Sequence, residues 1–308
     1  MRPIEKALAT IQQTNISFPC QEDALEEAMD TYTTFYGVKL TDIKHSYGYV
    51  MINQYKIFLQ SFKPKRPQAT ILLVHGYFDH TGSMSHLINF LTTNGYHVWS
   101  YDLTGHGLSD GDRISIDDFS YYQEVLVEIS EKYVMNEYHP TYLVAHSTGA
   151  AISLNILTQQ PHTFNKVVML APLVRSYAWH ASIVGKKMIP PFIKHTKRYY
   201  RKNSSNKEYH SFVKQDPLQH HQLSLKWLNA LFLWNQKVKV YAKSDQSVLI
   251  IQGDEDRTVD WRFNCAFIHQ KLPESNIILV SGANHQLMNE HKQLRDQIFY
   301  LMKQYLEK

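Results

Sequence analysis

The pentapeptide Ala145-His146-Ser147-Thr148-Gly149 stands between an apolar run ending at His146 and a helix-forming stretch. A serine on such a strand-to-helix turn has its hydroxyl lifted above the sheet, and small neighbours let strand and helix close on each other. The pattern departs from G-x-S-x-G only at its first position, where Ala145 adds one methyl group. The same residues also fit a serine that caps an ordinary helix, so its meaning rests on what else the chain brings to it. A serine hydroxyl attacks only with a base in hydrogen-bond reach and an acid that orients the base. After a strand–turn–helix nucleophile of this kind, the acid and then the base follow along the chain. Downstream, Gly253-Asp254-Glu255-Asp256-Arg257 offers two acids, and Gly282-Ala283-Asn284-His285 offers the base His285. Asp256 is the expected acid, because the third residue past the glycine lies where the loop curls back to the top edge of the sheet. Asp254 is expected to hold the turn through its side chain. His75, His106 and His146 adjoin glycines or the serine and read as structural hydrogen-bonders. A tetrahedral intermediate needs two backbone N–H donors fixed in advance. Thr148 would supply one, and Tyr77 the other, since His75-Gly76 lets that backbone come close.

The elements that must position these groups are visible as apolar runs. The stretches 69–76, 96–102, 141–146, 166–171, 247–253 and 276–281 read as strands, several of them apolar without interruption, as strands covered on both faces are. Residues 47–62 alternate and are rich in β-formers, which predicts a hairpin or two strands. Helices are predicted over 21–36, 83–94, 118–136, 148–160, near 261–271 and from Gln286 to the C-terminus. Strands alternating with helices imply βαβ units and a mostly parallel sheet with helices on both faces. In such sheets the chemistry lies at the carboxyl ends of the strands. His75-Gly76-Tyr77, His146-Ser147, Gly253-Asp254 and Asn284-His285 all follow apolar runs.

The chain has 308 residues, 44% hydrophobic, with only two cysteines, Cys20 and Cys265. That composition excludes a disordered chain, a disulfide scaffold and a cysteine-held zinc site. Nothing in it reads as a signal peptide or a membrane span, so a soluble, cytoplasmic protein is expected. The net charge of +4 is unevenly spread: residues 173–246 hold 14 Lys or Arg against three acids, while the rest holds 18 against 25. A segment at +11 in a chain otherwise at −7 suits a surface that meets anions, and suits equally a solvated lysine-rich region. Within it, Trp179–Lys202 mixes basic residues with Ile183, Val184, Met188, Ile189, Phe192, Ile193, Tyr199 and Tyr200. Such a mixture fits peripheral contact with an anionic membrane. The apolar run Leu223–Trp234 is helix-length and reads either as core or as the wall of an acyl tunnel.

Taken together, HGYFDHTG at 75–82, YDLTGHGLSDG at 101–111, AHSTG at 145–149, GDEDRTVD at 253–260 and GANHQLMNE at 282–290 resemble the α/β-hydrolase superfamily. The likeness is to its monoacylglycerol lipase and lysophospholipase branch, related to the S33 aminopeptidases, and it covers about residues 45–305. His80-Thr81-Gly82 keeps the first-loop pattern H-G-x-x-x-H-[ST]-G, and Asp216-Pro217-Leu218 matches a tripeptide of that branch's cap. The resemblance implies the triad Ser147, Asp256 and His285, the oxyanion donors Tyr77 and Thr148, and no metal or organic cofactor. It also implies a core of residues 45–172 and 247–308 and an inserted cap over 173–246; the N-terminal extension, 1–44, is a departure the likeness does not match and is expected to pack on the core. The expected activity is hydrolysis of lipid esters, as a lysophospholipase or monoacylglycerol lipase. A small-ester carboxylesterase and an S33-type aminopeptidase are the alternatives. The aminopeptidase needs an acidic cluster for a free amine, which the basic cap argues against. Dehalogenase and epoxide hydrolase chemistry needs an aspartate at position 147, and a non-catalytic binder of nucleic acid is not expected beside an intact triad.

Overall fold

The computed structural model describes residues 1–14, 16–20, 25–136, 140–190, 192–198 and 202–308. The chain opens with two helices, α1 (Pro3–Gln13) and α2 (Glu26–Tyr36), and a hairpin of β1 (Ile43–Ile52) and β2 (Tyr55–Pro64). Then β3 (Ala69–Val74), α3 (Ser85–Thr93), β4 (Tyr96–Tyr101), α4 (Phe119–Ile129), β5 (Thr141–His146), α5 (Thr148–Gln159) and β6 (Lys166–Leu170) alternate. An insertion follows with α6 (Trp179–Met188), β7 (His195–Lys197), α7 (Lys207–Gln215), β8 (Gln222–Ser224) and α8 (Leu225–Lys237). The alternation resumes with β9 (Val248–Gly253), α9 (Trp261–Lys271), β10 (Ser275–Val280) and α10 (Lys292–Glu307).

The described strands form an eight-stranded sheet in the order β1-β2-β4-β3-β5-β6-β9-β10, and β7 pairs with β8 apart from it. From β4 across to β10 every pairing is parallel; β1 with β2 and β2 with β4 are antiparallel. The uninterrupted apolar strands follow from two covered faces. Leu72, Val74, Leu143, Ala145, Val167, Met169, Val248 and Ile250 point into one core with α4, α5, α8 and α9. Ile71, Leu73, Tyr142, Val144, Val168, Leu170, Leu249 and Ile251 point into the other with α1, α2, α3 and α10.

Several expected boundaries shift for local reasons. The C-terminal helix expected from Gln286 starts at Lys292, because the side chains of Gln286, Asn289 and Glu290 are spent on cross-loop hydrogen bonds. Residues 287–289 form only a short 3-10 turn. The helix expected over 118–136 begins where Asp118 caps the Ser120 N–H, and widens into a π-turn over Ser130–Val134. Helix α1 was not anticipated, although Pro3 at its first turn and Ile4, Leu8 and Ile11 at helical spacing mark it. Residues 21–24 of the helix expected over 21–36, and Pro191, Tyr199, Tyr200 and Arg201 of the basic segment, lie outside the described residues. No helix among the described residues is long and apolar enough to cross a membrane.

Candidate active site

Ser147 joins β5 to α5 with φ of 50° and ψ of −109°, a conformation that side-chain-bearing residues avoid. The turn is held from both sides: the Ser147 N–H donates to the Leu170 carbonyl, and its carbonyl accepts from Ala151 and Leu173. Gly149 is obligatory here, since a Cβ would fall 2.5 Å from the Val74 carbonyl oxygen where α5 crosses the end of β3. Ala145 is wholly buried in the core cluster with Val74 and Leu143. The strain falls on Ser147 itself, a buried serine, as strain does at functional turns.

The expected base and acid meet this serine. His285 Nε2 lies 3.0 Å from Ser147 Oγ, and His285 Nδ1 lies 2.8 Å from Asp256 Oδ2. Asp256 also accepts from the Thr258 and Val259 N–H groups and from Gln252 Nε2. Burial pushes its carboxyl up, but His285 and these donors outweigh burial and hold it below the usual carboxylate range. Asp254 holds the turn differently from expectation: its Oδ1 accepts from the Gly282 N–H of the neighbouring loop, 2.7 Å away. Gly253 lets the two loops touch, because a Cβ there would lie 2.3 Å from the Ala283 carbonyl oxygen.

The loop after β3 closes the site. Asp79 N–H donates to the Gly76 carbonyl, so residues 76–79 form a turn, with Phe78 at φ of 69°. A Cβ at Gly76 would approach His146 Nδ1 at 2.9 Å and Ser147 Cβ at 3.0 Å, which only glycine avoids. The loop bearing the Tyr77 N–H therefore packs directly against the nucleophile turn, beside Thr148. His75 holds it in place: its Nδ1 faces the Gly76 carbonyl at 2.7 Å and its Nε2 accepts from the Leu103 N–H. The Tyr77 ring stacks on Trp227 at 3.8 Å, and its hydroxyl donates to the Ile114 carbonyl.

A supporting network escaped the sequence reading. Asp79 takes two contacts from Gln286 Nε2 and lies 3.2 Å from His146 Nδ1, while His146 Nε2 contacts the His285 carbonyl at 3.1 Å. Burial raises the Asp79 carboxyl, yet His146 and Gln286 bring it below its ordinary value. Glu290, wholly buried, accepts from the Asn284 N–H at 2.5 Å and from Ser205, tying the histidine loop to the insertion. Acidic residues near the H-G and N-H motifs were the available signal, but apart from Asn284 their partners are far away in sequence. His106, as expected, is structural in its surroundings: buried, facing the Thr104 carbonyl, and held neutral by burial.

Above Ser147 lies a cavity of 560 Å³ lined by Tyr77, Leu173, Leu223, Trp227, Leu228 and Leu231 among others, with His285 at its floor. The arrangement has what acyl transfer requires: an oriented nucleophile, a base, an acid, two N–H groups nearby and a space for the acyl group. Residues 65–292 match the Hydrolase_4 family, described as serine aminopeptidase, S33. The chain belongs to this family. As a Hydrolase_4 member it is 26% identical over 250 residues to a monoglyceride lipase homolog of Monkeypox virus, covering 79% of this chain and 91% of the relative. It is 26% identical over 258 residues to the monoglyceride lipase of Homo sapiens, covering 79% and 84%. A soluble variant of the Saccharomyces cerevisiae monoglyceride lipase, solved with a substrate analog, superposes with a TM-score of 0.74 at 22% identity, covering 88% of this chain and 99% of that one. The expected α/β-hydrolase fold is the fold found, and the expected likeness to the monoacylglycerol lipase branch holds.

Proposed function

We propose that this Hydrolase_4 member hydrolyses single-chain lipid esters, as a lysophospholipase or monoacylglycerol lipase, through an acyl-enzyme on Ser147. The coarse class, a carboxylic ester hydrolase, follows from the family and its relatives. The observation that carries the finer reading is the continuous chain Ser147 Oγ, His285 and Asp256 beneath a cavity with an apolar wall. His285 takes the serine proton as Oγ attacks the ester carbonyl, and Asp256 holds the imidazole tautomer and stabilises the imidazolium. The Tyr77 and Thr148 N–H groups receive the charge that develops on the carbonyl oxygen. His285 then protonates the leaving alcohol, and water activated by the same imidazole releases the fatty acid.

The insertion over 173–246 acts as a cap: Trp227, Leu228 and Leu231 of α8 form the acyl wall. Its α6 end, with Met188 and Phe192 about four-fifths exposed beside Lys186, Lys187 and Lys194, suits peripheral docking on anionic membrane. An aminopeptidase is disfavoured, because no acid lines the cavity among the described residues to receive a free amine. Initial rates on p-nitrophenyl esters from acetate to palmitate test the proposal. A maximum at medium or long chains, lost in Ser147→Ala, is expected. Activity confined to acetate and butyrate would leave only a small-ester hydrolase.

A further inference from the structure

The cavity over Ser147 is lined by two unlike sets of residues, one apolar and one cationic, and they come from different stretches of the chain. The apolar wall is built by Leu223 and the α8 residues Trp227, Leu228 and Leu231. The same cavity is also lined by Arg198, Lys202, His210 and Lys214 from the insertion and by Arg257 from the loop that bears Asp256. Four permanent cations thus face one cavity in which, among the described lining residues, no carboxylate occurs. Lys202, Lys214 and Arg257 stand at the exposed rim, while Arg198 is half-buried.

Arg198 is fixed rather than dangling. Its guanidinium lies over the Phe78 ring, 3.8 Å from the centroid. Its Nη1 donates to Gln219 Oε1 and to the His220 carbonyl, and Gln219 in turn donates to the Phe78 carbonyl. Phe78 immediately follows Tyr77, so this cation is mounted on the same loop as one oxyanion donor. A lipid ester bound for attack has an acyl side and an alcohol side. With the acyl chain on the apolar residues, the alcohol and whatever it carries are left to the cations. An uncharged glycerol offers them nothing to match their lost hydration, whereas a phosphate offers oxygens that a guanidinium fork and ammonium groups bind in charge-assisted hydrogen bonds.

Resting on the ester-hydrolase reading above, we infer that the pocket selects esters whose alcohol bears a phosphate, that is, anionic lysophospholipids, over uncharged monoacylglycerols. Arg198 is the anchoring contact and Lys202, Lys214 and Arg257 add the field that draws the headgroup in. The shared chemistry, phosphate recognition, could also serve contact with membrane headgroups, so the test removes the membrane.

The experiment compares kcat/KM for 1-octanoyl-glycerol 3-phosphate and 1-octanoylglycerol, both below their aggregation thresholds, in the wild-type protein, Arg198→Gln, Arg198→Lys and Lys214→Gln. The phosphate substrate is expected to lead by at least about tenfold, the worth of one charge-assisted contact. Arg198→Gln brings the ratio towards one, Arg198→Lys restores part of it, and Lys214→Gln, at an exposed position, lowers it with little risk to folding. A wild-type ratio near or below one overturns the inference. So does a ratio that neither glutamine variant moves, which would mark the residues as structural, or a preference appearing only on aggregated lipid, which would assign the cations to the membrane. p-Nitrophenyl octanoate separates the two levels of claim. If it is cleaved in a Ser147-dependent manner, a flat ratio sinks only the headgroup inference. If no ester is cleaved, the catalytic reading fails and the inference with it.

Discussion

At the scale of residues, the site depends on a few places where atoms have no room to move. Gly76→Ala would drive a methyl group into His146 and the Ser147 turn and displace the Tyr77 N–H. A loss of about 10²- to 10³-fold in kcat on a p-nitrophenyl ester is expected, the cost of one oxyanion donor, with the circular dichroism spectrum unchanged. Asp256→Asn leaves His285 in the wrong tautomer, and kcat is expected to fall by roughly four orders of magnitude in the same assay. The residues selected by motif do meet: Ser147, Asp256 and His285 form one hydrogen-bonded chain, with Thr148 and Tyr77 beside it. Those selections were legible because glycine spacing and strand ends carry local information. Asp79, Gln286 and Glu290 were not legible, because their roles lie in contacts such as Gln286 to Asp79, 207 positions apart.

Between elements, a buried knot joins three parts of the chain. His80 Nε2 pairs with Asp216 Oδ2 at 2.9 Å, and the Tyr36 hydroxyl of α2 donates to Asp216 Oδ1 at 2.7 Å. Burial opposes the charge on both groups, but their mutual attraction wins, raising the imidazole and lowering the carboxyl relative to ordinary values. The lowered Asp216 contributes stability above the ordinary carboxylate range, and that contribution fades as pH falls. The raised His80 contributes below its ordinary value and loses that contribution as pH climbs through its folded one. Asp216→Asn leaves His80 without its counter-charge, and a loss of about 3–5 kcal/mol in urea unfolding near neutral pH is expected. The gap between variant and wild type should narrow as the pH is lowered through the carboxylate range. Tyr36→Phe should cost less, about 1.5–3 kcal/mol, as one bond to a charged acceptor. The motif H-G-x-x-x-H-T-G and the tripeptide Asp216-Pro217-Leu218 were both visible in the sequence, but nothing local said that they touch. Regular elements with one period were read well; the insertion was not, since α6, α7 and the short β7–β8 pair are defined by contacts with the core rather than by pattern.

For the molecule as a whole, one end of the insertion exposes several apolar residues next to lysines. Val184, Met188 and Phe192 are exposed, and so are Lys187 and Lys194. Each lysine near an anionic surface is worth about 1 kcal/mol, within a Debye length of about 8 Å at physiological salt. Co-sedimentation with phosphatidylglycerol vesicles is therefore expected at low salt and weakened at high salt. Met188→Ser with Phe192→Ser should reduce it further, and an absence of binding at low salt would remove the docking role. Nearer the sheet, the proposed mechanism runs through an ester-derived acyl group on Ser147. The measurement that tests it most directly is mass spectrometry of the protein acid-quenched during turnover of p-nitrophenyl laurate. A lauroyl adduct confined to the peptide bearing Ser147, and absent in Ser147→Ala, is the expected result. Undiminished turnover in that variant, or hydrolysis with the adduct on another residue, would contradict it.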